Sequence, residues 1–260
     1  EMGNSILYIE QGSHHIACWA KENNTGHIKA FELFRFTLPE SKDSLQLPDH
    51  IFTTSKILQH PFEKTVLISE HSSCICIPAK FYSPKTATTY LQLMMGEDTD
   101  TGIHTNIHKG IVILSPAPAD IMQAWDKKIK IDEHAHKYFT LIKGQAATED
   151  ETKLHCIFYA SYFILSAYKN SQLLIIRHFD YSTPEDVLYH ILNTFRQFDL
   201  EAKAPVIISG SIDIDSALYQ MLHSYISGLK TEQADSTKYT NPGFNPYPHH
   251  YFTSFCEYGI

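Results

Sequence analysis

The sequence predicts an α/β protein built from two similar halves, because one pattern of strands and turns occurs twice. The first copy spans residues 6–37 and the second spans residues 153–181. Each copy has three β-rich runs, which are separated by a turn of small residues and then by a polar turn. Alternating strand and helix patterns follow each copy, and this order requires parallel neighbours in the sheet. We therefore expect two subdomains, each with a mixed sheet made of a three-strand meander followed by β-α units, and a cleft between them.

The two copies align when the first is moved by 148 positions, which places Gly12 on Ala160. A charged stretch separates the copies and is typical of a loop. We predict a first subdomain over residues 1–130 and a second subdomain over residues 131–260.

Between the two copies, the composition predicts further strands and helices. Residues 96–109 are rich in Asp, Thr, Gly and His, which predicts a loop. Residues 130–144 have the apolar spacing of a single helix. Three short apolar runs have the composition of buried strands: residues 65–70, 74–78 and 110–114.

The clearest helix start follows the second copy. Thr183 is a good N-cap and Pro184 suits the first helical position. Residues 205–209 form an apolar run typical of a buried strand. Residues 231–248 are polar and rich in Pro, Asn and Gly, so we expect a long loop. Residues 251–256 are aromatic and predict a last edge strand.

Composition excludes two classes of partner. The formal net charge is −8, so the chain lacks the basic footprint that nucleic acid or anionic lipid would attract. No apolar run approaches the length that a membrane span needs, and the opening residues do not resemble an export signal. The cysteines are odd in number and scattered, which favours reduced thiols and a cytoplasmic location: Cys18, Cys74, Cys76, Cys156 and Cys256.

Three segments carry a resemblance to a known superfamily. They read LYIEQGSHHIACWA, DYSTPEDVLYHILNTFRQF and ISGSIDIDSALYQMLHSYI. Together with the duplication, they resemble the actin-like ATPase superfamily, which includes actin, Hsp70-type chaperones and sugar kinases. Within it, the chain is most similar to an uncharacterised bacterial family known mostly from structural genomics. The resemblance implies the actin-like ATPase fold, a duplicated ribonuclease-H-like arrangement.

The resemblance also implies where a nucleotide site would lie. In active members, the first hairpin carries an acid, any residue, glycine and then serine or threonine. The turn's backbone N–H groups hold a phosphate and the acid organises the shell of Mg²⁺. The matching residues are Glu10, Gly12 and Ser13, with Glu in place of the usual Asp. A bare hairpin turn is the competing interpretation of these three residues.

The second hairpin and the adenosine segment depart from the superfamily pattern. The offset of 148 places Phe158 at the acid position and Ala160 at the glycine position. A phenyl ring cannot hold a metal-bound water, and a Cβ hinders close approach to the backbone. The adenosine segment, which ends in Gly-Gly in the superfamily, reads Ser209-Gly210 here. We therefore expect a degenerate nucleotide site; a plain strand-to-helix turn is the competing interpretation of Ser209 and Gly210.

The histidines do not predict a metal site. His104 and His108 have the spacing of ligands on a helix, but they fall in the predicted loop, and no cysteine nearby completes a set. Cys74 and Cys76 lack a second pair. We expect solvated histidines, buried thiols and no bound metal.

Three functional hypotheses remain. The first is a non-catalytic interaction or scaffold module with a protein partner, no catalytic residues and no cofactor. The second is an ATPase or small-molecule kinase that uses ATP and magnesium through Glu10 and Gly12, with Asp180 as a candidate base. The third is a regulatory module that binds a peptide or small ligand beneath a lid formed by residues 231–260. The losses in the second hairpin favour the first hypothesis.

Overall fold

The computed structural model describes residues 2–36, 46–96, 102–117, 119–144, 151–239 and 241–256. The chain divides into two compact units. The first unit contains Glu1–Lys143 and Ser236–Phe244, and the second contains Gly144–Asp235 and Asn245–Gly259. The subdomain boundary at residue 130 stays a prediction.

The strands and helices alternate along the chain as an α/β protein requires. The strands are β1 (Ser5–Gln11), β2 (His15–Glu22), β3 (Ile28–Arg35), β4 (Lys64–Ser69), β5 (Ile75–Pro78), β6 (Ile103–His108), β7 (Ile111–Pro116), β8 (Glu133–His136), β9 (Thr152–Phe158), β10 (Tyr162–Lys169), β11 (Gln172–Asp180), β12 (Val206–Gly210) and β13 (Leu229–Thr231). The helices are α1 (Leu47–Thr54), α2 (Pro84–Met95), α3 (Ala119–Asp126), α4 (Lys137–Gly144), α5 (Pro184–Gln197), α6 (Ala217–Tyr225) and α7 (His250–Cys256).

Both units contain a five-stranded mixed sheet with one topology. The order is β3-β2-β1-β4-β8 in the first unit and β11-β10-β9-β12-β13 in the second. In each sheet the meander is antiparallel, and the two strands that follow it are parallel to its first strand. The predicted duplication and the predicted mixed sheets are therefore confirmed.

The predicted offset of 148 between the copies is wrong by one residue. Gln11 pairs with Ile16 in the first hairpin, and Phe158 pairs with Phe163 in the second. The offset is 147, because 158 minus 11 is 147. Since side chains alternate between the faces of a strand, a slip of one residue moves every side chain to the wrong face.

The corrected register changes which residues correspond. Ile157, not Phe158, is the counterpart of Glu10, and Tyr159, not Ala160, is the counterpart of Gly12. Phe158 instead belongs to the hydrophobic core of the second unit.

Each five-stranded sheet packs one face against two helices. In the first unit, Ile51 of α1 and Trp125 of α3 join Leu7 and Ile9 of β1 in the core. In the second unit, helices α5 and α6 cover the corresponding face of β9. The predicted start of α5 is confirmed, since Thr183 accepts a hydrogen bond from the backbone of Asp186.

A three-stranded sheet in the order β5-β7-β6 lies between β4 and β8 in the chain, within the first unit. We call it the inserted sheet. One face packs on α2 through Ile77, Leu91 and Leu114. The predicted loop over residues 96–109 is wrong where strand β6 lies. The polar side chains of β6 made the segment resemble a loop. Residues 97–101 of that prediction lie outside the described part of the chain.

Two other predictions are wrong. The segment 130–144 is strand β8 followed by α4, not a single helix. The segment predicted as an edge strand over residues 251–256 belongs to α7, which packs against β12 with Phe252 and Phe255 buried. Aromatic residues favour strands only weakly, and burial against a sheet overrides that preference. Among the helices that the structure describes, none has the length and apolar character needed to span a lipid bilayer.

Candidate functional site

The candidate site lies at the carboxyl edge of the sheet in the first unit. Strands β1 and β8 both run parallel to β4, so their carboxyl ends reach the same edge. Glu10 is near the end of β1, and Lys137 begins α4 directly after β8. In open α/β sheets this edge is where ligands bind. The topology therefore brings together two charged residues that are distant in sequence.

Glu10 forms a closed ionic group in this position. One carboxylate oxygen lies 2.6 Å from Lys137 Nζ, and the other lies 3.1 Å from His15 Nε2. The side chains of Glu10 and Lys137 are both 0% exposed. We call Glu10, His15 and Lys137 the buried ionic group.

The pKa of Glu10 reflects two opposing influences. Burial alone would raise the pKa, because a charge is poorly solvated inside a protein. The ammonium of Lys137 and the imidazole of His15 outweigh burial and hold the pKa of the Glu10 carboxyl below its usual range. The carboxylate is therefore ionised and already paired within the protein.

Gly12 leaves room for the His15 ring. A Cβ on Gly12 would come within 2.3 Å of His15 Cε1 and 3.0 Å of a Glu70 carboxylate oxygen. The Gly12 N–H donates to the His15 carbonyl at 2.9 Å and closes the turn. Ser13 is exposed at the tip of this turn. The side of Gly12 without a side chain thus faces an imidazole of the same hairpin.

The second hairpin has aromatic rings in the corresponding place. Tyr159, the counterpart of Gly12, is 5% exposed. Its ring stacks on Tyr162 at 4.6 Å, and Tyr162 stacks on His178 at 4.1 Å. Ile157, the counterpart of Glu10, is 1% exposed and carries no charge.

Ser209 and Gly210 lie in the second unit at the end of β12. Gly210 has a φ of +83°, and a Cβ there would come within 2.2 Å of the Phe158 carbonyl oxygen. The N–H of Ser211 donates to the same carbonyl at 2.8 Å. The glycine is therefore explained by its positive φ and its close contact with the backbone of β9.

The sequence identified only part of this site. It singled out Glu10, Gly12 and Ser13, which the fold keeps together, and missed His15 and Lys137. His15 carried a local signal, because it lies in the same hairpin. No sequence signal pointed to Lys137, because the predicted single helix over residues 130–144 hid the strand that precedes it. Within the described ranges, no three His, Cys, Asp or Glu side chains are arranged to hold a metal ion.

The fold is that of the actin-like ATPases, as solved structures show. A protein of unknown function with this fold from Bacteroides thetaiotaomicron superposes with a TM-score of 0.73 at 13% identity, over 98% of this chain and 96% of that one. The PilM–PilN type IV pilus biogenesis complex gives 0.67 at 11% identity, over 96% and 97%. The ethanolamine utilization protein EutJ from Carboxydothermus hydrogenoformans gives 0.53 at 5% identity, over 97% and 89%.

The particular family follows from the sequence itself. The chain belongs to the family described as "Protein of unknown function (DUF3822)", whose sequence pattern matches residues 1–229. A comparison with curated proteins gives no match. The predicted resemblance to an uncharacterised family with an actin-like fold is confirmed.

Proposed function

We propose that this protein is a non-catalytic interaction or scaffold module that retains the actin-like fold without its nucleotide chemistry. One observation carries the proposal. Glu10, where the resemblance places the acid that organises Mg²⁺, is fully buried and bound to Lys137 Nζ at 2.6 Å.

The residues around Glu10 do not fit a magnesium ion and a nucleotide phosphate. Mg²⁺ retains several waters and is held through free carboxylate oxygens. Both oxygens of Glu10 already contact a basic side chain, and Lys137 supplies the positive charge that a metal would otherwise bring. The His15 ring also covers the face of Gly12 to which a phosphate would need access. We propose that the protein works without ATP or magnesium.

The second hairpin supports the same proposal. An apolar Ile157 and a buried Tyr159 stand where an acid and a glycine are needed. Neither hairpin offers both a free carboxylate and bare turn backbone.

A protein partner is supported by a relative of the same fold. The solved structure that contains PilM is a complex with PilN, so this fold can serve as an assembly component. We further propose a bacterial, cytoplasmic protein. A bacterial structural relative supports the origin, and five free cysteines support a reducing compartment.

The competing hypothesis is a Mg-ATP-dependent ATPase or kinase, and nucleotide binding separates the two. We expect millimolar Mg-ATP to leave the melting temperature unchanged, because only a ligand that binds the folded state raises it. We also expect no ATP hydrolysis above a protein-free blank. A Mg²⁺-dependent rise in melting temperature, with hydrolysis that Glu10→Gln abolishes, would overturn the proposal. Equal hydrolysis by the wild-type protein and by Glu10→Gln would indicate a contaminating enzyme.

The proposed protein partner is tested by a separate experiment. The tagged chain should be purified from its source at native abundance, and its companions quantified by mass spectrometry. We expect one protein at near-stoichiometric yield. Recovery of the chain alone would contradict a scaffold role.

A further inference from the structure

The inserted sheet meets the rest of the first unit through polar side chains. His104, Asn106 and His108 alternate along β6 and therefore share one face. The His104 ring lies 4.2 Å from His134 of β8. Asn106 accepts a hydrogen bond from the backbone of His136 at 3.1 Å. This face of β6 therefore contacts β8 through imidazole and amide groups. Contacts between packed elements are more usually apolar.

Further histidines lie behind this contact, on its β4–β8 side. The His71 ring, just after β4, lies 4.8 Å from His136. His136 Nε2 lies 3.0 Å from the His71 carbonyl oxygen, and Ser69 Oγ lies 2.8 Å from His134 Nε2. We call His71, His104, His134 and His136 the histidine interface.

Several ring nitrogens in this interface are buried without a hydrogen-bond partner. They are Nδ1 of His71, Nε2 of His104 and Nδ1 of His134. A buried polar atom that lacks a partner costs free energy. The contact between the inserted sheet and β8 is therefore less stable than an apolar contact of the same area would be.

All four imidazoles are kept neutral. Burial lowers the pKa of every member, and mutual repulsion adds to this at His134, whose pKa falls to about 3, and at His136. The charged groups nearby are few. Glu70 acts against the lowering at His71, while Lys109 and Lys143 lower the pKa of neighbouring His108. The other neighbours are the Tyr138 ring, which lies 4.9 Å from His136, and the side chain of Cys76, which is on the same face of the inserted sheet as His104.

We propose that the histidine interface is a proton-sensitive contact that releases the inserted sheet from the β4–β8 edge when the pH falls. While the contact is closed, burial makes the imidazoles accept protons less readily than they would in water. Once it opens, the His104 and His134 rings, which meet across the contact, regain their ordinary affinity for protons. Opening therefore becomes more favourable below about pH 6.5, by up to about tenfold per pH unit for each histidine released.

Hydrogen exchange of the full chain tests this release. Protection of β6, β7 and α2, corrected for intrinsic exchange rates, should fall at least tenfold between about pH 7 and about pH 5.5. Protection of β9 and β10 should change far less over the same range. Constant protection of β6, or loss that runs parallel to β9 and β10, would overturn the proposal.

Matched variants isolate the histidines. His104→Gln combined with His134→Gln removes two titrating rings, so protection of β6 should lose most of its dependence on pH. His50→Gln, at an exposed histidine on α1, should keep the full dependence. A double variant with the steepness of wild type would contradict the proposal. If the double variant does not fold, the wild-type comparison of β6 with β9 still decides the question.

Discussion

The two hairpins have the same backbone arrangement and differ in the side chains that they bury. Both sheets have the same strand order, and both turns close with the same backbone hydrogen bond, from Gly12 to His15 and from Tyr159 to Tyr162. The first hairpin holds a carboxylate that is neutralised from within by Lys137. The second has only apolar and aromatic side chains in the same places. The two copies of one fold therefore hold chemically different groups at the same place in the hairpin.

Strand order and register are therefore the same in both units, whereas the side chains of the hairpins differ without changing the fold. A buried ion pair is weak evidence for stability, since desolvation offsets most of the attraction. Removal of only one partner nevertheless lowers the free energy of unfolding strongly, because the other charge is left buried without compensation. The two hairpins should therefore respond very differently to equivalent substitutions.

The largest effect should come from Lys137→Met. This change leaves the Glu10 carboxylate buried with one basic partner fewer, and we expect a loss of about 3–5 kcal/mol in the free energy of unfolding. Urea denaturation measures the loss. Lys143→Met, at an exposed lysine of the same helix, should cost less than about 0.5 kcal/mol. Equal effects at the two lysines would show that Lys137 has no special role.

Gly210→Ala tests the explanation of the glycine in the second unit. The positive φ and the contact with the Phe158 carbonyl should together cost about 3 kcal/mol. Gly96 also has a positive φ, of +72°, but a Cβ there meets nothing within 4 Å. Gly96→Ala should therefore cost only about 1 kcal/mol. Similar costs at both glycines would exclude the backbone contact as the cause.

Equivalent positions can be compared by removal of one carbon. Glu10→Asp withdraws the carboxylate from Lys137 and should cost about 2 kcal/mol, as loss of a charged hydrogen bond does. Ile157→Val, at the counterpart in the second hairpin, should cost about 1 kcal/mol. Chemical denaturation of both variants measures the contrast. A larger cost for Ile157→Val would contradict the distinction between the hairpins.

Acid should weaken the first hairpin in a defined range. The folded-state pKa of Glu10 is lowered from the value of 4.5, so the ionised carboxylate stabilises the fold above about pH 4.5. That contribution is lost as the pH falls through the lowered folded-state pKa. Glu10→Gln with Lys137→Met should lack this part of the pH dependence in denaturation experiments between about pH 5 and about pH 3. An unchanged slope would mean that Glu10 does not titrate as described.

Much of the fold could be predicted from sequence, because meanders and capped helices leave local patterns. The runs around Gly12 and the cap at Thr183 are examples. The offset of 148 failed because similar small residues in the two turns outweighed the strict alternation of the strands. Strand β6 was missed because its His104 and Asn106 face another sheet, so its polarity resembles that of a loop.

The site was less predictable, since its partners meet only after folding. Glu10 and Lys137 are 127 positions apart, and no local pattern links them. A charge that pairs across a sheet edge becomes visible only once the order of β1, β4 and β8 is known. The sequence could identify Glu10 as a candidate acid. Only the strand order shows that its carboxylate is already paired with Lys137.

The pairing of Glu10 with Lys137 is tested most directly by a double-mutant cycle. Unfolding free energies are needed for wild type, Glu10→Gln, Lys137→Met and the combined variant. We predict a coupling energy of at least about 2 kcal/mol, with the combined variant more stable than Lys137→Met alone. Losses that add to within about 0.5 kcal/mol would contradict the buried ionic group and remove the main support for the proposed function without nucleotide.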